Sequence, residues 1–88
     1  MKQIKLSGRE RAVVRAIDFA NGSTGEEILE HTRLAPDDLV DILNGLLSLG
    51  YAESVPYSEA TTLDAFRGVL FEVNPSYALD IRAAIAHH

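Results

Sequence analysis

Cysteine is absent from the 88 residues, which excludes a disulfide scaffold, a thiol nucleophile and any thiolate-ligated zinc or iron–sulfur site. Stability must come from packing. No apolar run approaches the roughly 20 residues of a membrane span, and the start MKQIKL lacks the apolar region of a signal peptide. The expected address is the cytoplasm, with no membrane partner. Motifs for catalysis are missing as well: there is no Gly-rich phosphate loop, no Ser/His/Asp arrangement with local support and no His-x-x-x-His or Glu-x-x-His spacing. An enzyme is not expected, nor is a cofactor. His87 and His88 make a poor chelate, because adjacent helical positions diverge by about 100°. His31 reads as a dipole-compatible residue at a helix end, and Glu26, Glu27, Glu30, Asp37 and Asp38 as a solvated acidic face rather than a cation site.

What is present suits one compact domain over residues 1–88. The hydrophobic fraction is 47% and the charged fraction 24%, values of an ordinary globular chain. The net charge of −5 is unevenly spread. Residues 1–15 carry Lys2, Lys5, Arg9, Arg11 and Arg15 against Glu10, a balance of +4; the rest carries three arginines against twelve carboxylates, a balance of −9. Such a field opposes the approach of DNA, whose sequence-independent affinity comes from cations that neutralise phosphates. The plainer reading is a charged surface that keeps the protein in solution.

Ser7 and Glu10 form a Ser-x-x-Glu capping box that opens a first helix reaching about Ala20, with Val13, Ala16, Ile17 and Ala20 as its buried stripe. Asn21-Gly22 stops it. Thr24 and Glu27 repeat the box for a second helix through about His31, with Ile28 and Leu29 as core anchors. The turn Thr32-Arg33-Leu34 leads to Pro36 at the first position of a third helix, where Leu39, Ile42, Leu43, Leu46 and Leu49 recur at helical spacing and Gly50 ends the helix. Asp37, Asp41, Asn44 and Ser48 fall on the opposite face. Tyr51 to Val55 and Val69 to Val73 read as antiparallel strands around a loop from Pro56 to Gly68. Within that loop Leu63 and Phe66 either fold back on the body or meet a partner. Asn74-Pro75 opens a last helix reaching about residue 87, whose Tyr77, Ile81, Ala84 and Ile85 should pack on the domain. The class is α+β, mostly helical. The expected core comprises Val13, Ile17, Ile28, Leu39, Leu43, Leu46, Tyr51, Phe71 and Ile81.

The order of helix, helix, Thr-x-Leu turn, helix ending in Leu-x-x-Leu-Gly-Tyr, strand, loop, strand and terminal helix resembles the winged helix-turn-helix superfamily. It looks most like the small MarR-like regulators. The resemblance covers Ser7 to about Ile85 and rests on pattern and spacing. It implies a helix-turn-helix over about 24–50, a two- or three-stranded wing over about 51–73 and a C-terminal helix over about 75–87. It further implies that the third helix presents Asp38, Asp41, Asn44 and Ser48 to bases and that Arg67 touches phosphate. The chemistry departs from that pattern, since Asp and Asn supply specificity contacts without the affinity that Lys and Arg provide.

Two functions compete. One is a regulatory interaction module whose face of Asp37, Asp38, Asp41, Asn44, Ser48 and Arg67 meets another protein; the capping reading of Asp37 and Asp38 at a helix start stands beside it. The other is a DNA-binding transcriptional regulator with phosphate contacts from Arg9, Arg11 and Arg15. DNA is disfavoured by the acidic charge, and the interaction module is preferred. A second strip on the last helix, Leu79, Ala83 and Ala86, is a candidate homodimer face; the alternative is that alanine is simply a good helix former.

Overall fold

Reciprocal caps set the first two helix starts. In the computed structural model, which describes residues 4–86, Ser7 Oγ accepts from the Glu10 amide at 3.2 Å and Glu10 Oε1 accepts from the Ser7 amide at 2.7 Å. Helix α1 spans Gly8–Arg15, stopping short of the expected Ala20. The cause is Asp18. Its Oδ1 accepts from the amides of Ala20 at 2.8 Å and Asn21 at 3.2 Å, while its own amide donates to Ser23 Oγ at 3.0 Å. These local bonds offer the backbone an alternative to the helical ladder. The Ala20 and Asn21 amides also hold the Asp18 carboxyl below the usual carboxylate range. Ile17 stays buried outside the helix, whereas Ala20 is exposed instead of joining the buried stripe.

Strand β1 (Ser23–Thr24) runs directly into α2 (Gly25–Thr32), capped by Thr24 and Glu27 as expected. Arg33, in the left-handed region at φ 56°, ends α2. Helix α3 (Pro36–Leu49) starts on proline and ends at Gly50, whose φ of 78° most side chains avoid. Strands β2 (Ala52–Val55) and β3 (Leu70–Val73) pair antiparallel with Ala52 opposite Val73 and Val55 opposite Leu70. β1 adds to the far side of β3, so the sheet order is β1-β3-β2. Asn74 ties the sheet to the end of α3: its Nδ2 donates to the Gly50 carbonyl at 2.7 Å, and its Oδ1 accepts from Ser76 at 3.0 Å. A short 3-10 turn over Pro75–Tyr77 then leads into α4 (Ala78–Ala86), so the regular last helix begins three residues after the expected proline. Position 87, the expected end of that helix, lies outside the described residues, as do Lys2, His87 and His88.

The fold is thus α+β, with four α-helices and a three-stranded antiparallel sheet among the described residues. Eight of the nine expected core residues are buried in one cluster; Tyr51 is half-buried, edge-on to Tyr77 with ring centroids 5.3 Å apart. Phe66 takes the fold-back position and is fully buried. Gly25 makes room for it: a Cβ there would collide with the Phe66 carbonyl oxygen and carbonyl carbon. Leu49, expected on the apolar stripe of α3, is 55% exposed. It closes the helix and sits about 60° of helical rotation away from Leu46, off the buried line. No helix among the described residues is long and apolar enough to cross a membrane.

Candidate interaction face on the third helix

At about 100° per residue, α3 divides lengthwise into strips with different neighbours. Leu39, Leu43 and Leu46 point into the core with no exposed surface. On one flank lie Val40, Asn44 and Leu47, on the other Asp38, Ile42 and Leu49. Between the flanks the outward crest carries Asp37, Asp41 and Ser48, with Gly45 at its border with the second flank, next to Asp38.

The loop between β2 and β3 leans on the first flank. Asn44 Nδ2 donates to the Thr61 carbonyl at 3.1 Å, and its Oδ1 accepts from the Thr61 amide at 2.8 Å. Both ends of the amide are therefore spent within the chain. This corrects the expectation that Asn44 faces outward to meet a base or a partner; it is half-buried and clamps the loop. The loop has further anchors: Ser54 Oγ accepts from the Ser58 amide at 2.8 Å, the Phe66 amide donates to the Thr62 carbonyl at 2.9 Å, and the Phe66 ring is buried. Tyr57 and Leu63 remain outside, 76% and 53% exposed.

The acids of α3 differ in their engagements. Asp37 Oδ1 accepts from the adjacent Asp38 amide at 3.0 Å, in the first turn where the helix dipole favours a carboxylate; the N-cap position, Ala35, has no side-chain cap. Asp38 lies 3.8 Å from Arg9, a contact between two well-exposed side chains that contributes little. Asp41 is exposed and has no hydrogen bond or ion pair among the described residues, and Ser48 is likewise exposed. No Lys or Arg occurs in α3.

Two of the cations expected to meet phosphate, Arg67 and Arg15, are bound to the chain itself. Arg67 Nη1 lies 3.0 Å from both carboxylate oxygens of Glu26, and its guanidinium stacks 5.5 Å from the Phe66 ring centroid. Arg15 donates to the Ile85 carbonyl at 3.0 Å, and Arg11 is half-buried. Of the arginines in α1, Arg9 is the exposed one whose contact with the chain is loose. On α4, Ile81 is buried while Leu79, 83% exposed, shares the outer strip with exposed Ala83 and Ala86. Arg82 sits 4.8 Å from the Phe19 ring centroid.

Sequence reasoning overlooked two features. One is the Asn44–Thr61 clamp, for which a polar residue of poor helix propensity in mid-helix was a signal. The other is a shallow groove between the start of α1 and α3, lined by Ser7, Arg9, Glu10, Asp38, Asp41, Ile42 and Gly45. Among the described residues no group of three or more His, Asp or Glu side chains is placed to hold a metal ion. Comparison of the chain with family models, with curated proteins and with solved structures finds no match.

Proposed function

We propose that this chain is a regulatory winged-helix module that acts by binding another protein through the acidic outer face of α3. The winged-helix reading is supported by the element order α1-β1-α2-α3-β2-β3-α4 and the sheet order β1-β3-β2, with the β2–β3 loop as the wing. One observation carries the choice of partner. The helix that would read bases exposes Asp37 and Asp41, holds Asp38 half-exposed, has no cation of its own and has its single amide side chain tied to the wing. The wing cation, Arg67, is bound to Glu26. Without cations there is little counterion release to drive DNA association.

Charge reversal tests this reading. The double variant Asp38→Lys with Asp41→Lys should bind random duplex DNA more tightly than the wild type, with a salt slope steeper by about two units, one for each added phosphate contact. Fluorescence anisotropy across a salt series measures both. A double variant that binds no better would show that the acidic face is not what withholds DNA.

Self-association through α4 belongs to the same proposal, favoured by the exposure of Leu79. Pairing of two copies about a two-fold axis would bury the strip of Leu79, Ala83 and Ala86 against itself. Sedimentation at micromolar concentration should give a dimer that Leu79→Glu converts to a folded monomer. A wild-type monomer at high concentration would leave Leu79 as an ordinary exposed side chain.

A further inference from the structure

Along the second flank of α3, residues 38, 42, 45 and 49 follow one another at helical spacing and leave a seam beside the groove at the start of α1. Three observations along this seam agree. Its floor is apolar and small, with Ile42 half-buried and Gly45 bare. Its far end is Leu49, a large apolar side chain 55% exposed where the other leucines of α3 are buried or half-buried. Its rim is acidic, formed by Glu10, Asp38 and Asp41 with Arg9 as the one basic side chain.

Gly45 is the informative residue. A Cβ built there meets nothing within 4 Å, and the backbone is ordinary helix. The fold does not require glycine at that place. A glycine in a helix interior destabilises it by roughly 0.5–1 kcal/mol relative to alanine. Its physical advantage is that another backbone can come close, and among the described residues none outside the helix does.

We propose that the seam from Asp38 to Leu49 is the docking groove for a basic amphipathic helix of a partner protein. Lysines or arginines of that helix face Glu10, Asp38 and Asp41, and an apolar side chain seats over Ile42 and Gly45 against Leu49. This inference rests on the protein-binding reading above and specifies the partner's chemistry. The seam spans about 16 Å, or three helical turns, which sets the complementary segment at roughly twelve residues. Charge complementarity selects the basic partner, while the bare glycine and the exposed leucine select an apolar stripe on it.

The probe is a synthetic amidated peptide of roughly twelve residues with lysines on one helical face and leucines on the other. Titrated into isotopically labelled protein, it should shift amide resonances over residues 38–49 and at the start of α1. Gly45→Gln, which adds neutral bulk to open space, should weaken binding at least about tenfold, equivalent to about 1.4 kcal/mol, without lowering the thermal midpoint. Asp41→Lys should weaken it by a similar factor, and Glu30→Lys, on the exposed side of α2, should not. Shifts centred elsewhere, equal affinity for Gly45→Gln and wild type, or equal losses for the two lysine variants would each overturn the proposal. The protein-binding reading fails separately. Submicromolar binding of wild type to duplex DNA at physiological salt would overturn that reading, whereas failure of the peptide without DNA binding removes only this groove.

Discussion

Truncation of Phe66 to alanine is expected to destabilise the protein by about 3–5 kcal/mol, the range for removing a buried aromatic ring. Phe66 has no exposed surface. It lies where the β2–β3 loop returns to the body, directly against Gly25 at the start of α2. The ring also underlies the Arg67 guanidinium, so its loss loosens the Arg67–Glu26 pair that holds the loop to α2. Urea unfolding of the variant measures the loss. A value below about 1 kcal/mol would mean that the loop does not insert Phe66 into the core.

Leu43→Ala should cost about 2–5 kcal/mol. Leu43 is fully buried on the strip of α3 that also carries Leu39 and Leu46, and these side chains join α3 to the single core cluster. The neighbouring backbone is held at both ends, by Pro36 at the helix start and by the Gly50–Asn74 hydrogen bond at its close. Relaxation into the cavity is thereby limited. Comparison with Asp41→Ala separates the two faces of the helix: replacing the exposed Asp41 should change stability by less than about 0.5 kcal/mol. Equal losses for the two variants would show that the helical register is wrong.

Helix starts were the most legible part of the sequence, because Ser7 with Glu10 and Thr24 with Glu27 act over three residues and need nothing from the rest of the fold. The core followed from periodicity for the same reason. The end of α1 was harder. Its apolar spacing continues through Ile17 and Ala20, but Asp18 captures two backbone amides and turns the chain before the helical ladder extends. Strand β1 has two residues and no alternation to read; it exists because Ser23 and Thr24 meet Phe71 and Leu70 across the sheet.

The candidate face was legible in composition and only partly in geometry. The acids of α3 and its lack of cations are sequence facts. That Asn44 is engaged with Thr61, seventeen residues away, depends on how the long loop folds back, which local pattern does not encode. Arg67 is a similar case: the resemblance implies a phosphate contact there, whereas its partner Glu26 lies forty-one residues earlier in the chain. Leu49 belongs to the apolar stripe by spacing, yet its end position leaves it outside the core.

The central claim is that α3 presents a protein-binding face and not a DNA-reading one. Its most direct test is a titration of the wild-type protein with random and candidate operator duplexes over a salt series. Binding should be near or weaker than the non-specific level of roughly 10⁻⁴–10⁻⁶ M at physiological salt. Submicromolar binding to a defined duplex under those conditions would contradict it, above all if alanine substitution of Arg9, Arg11, Arg15 or Arg67 flattened the salt slope by about one unit each.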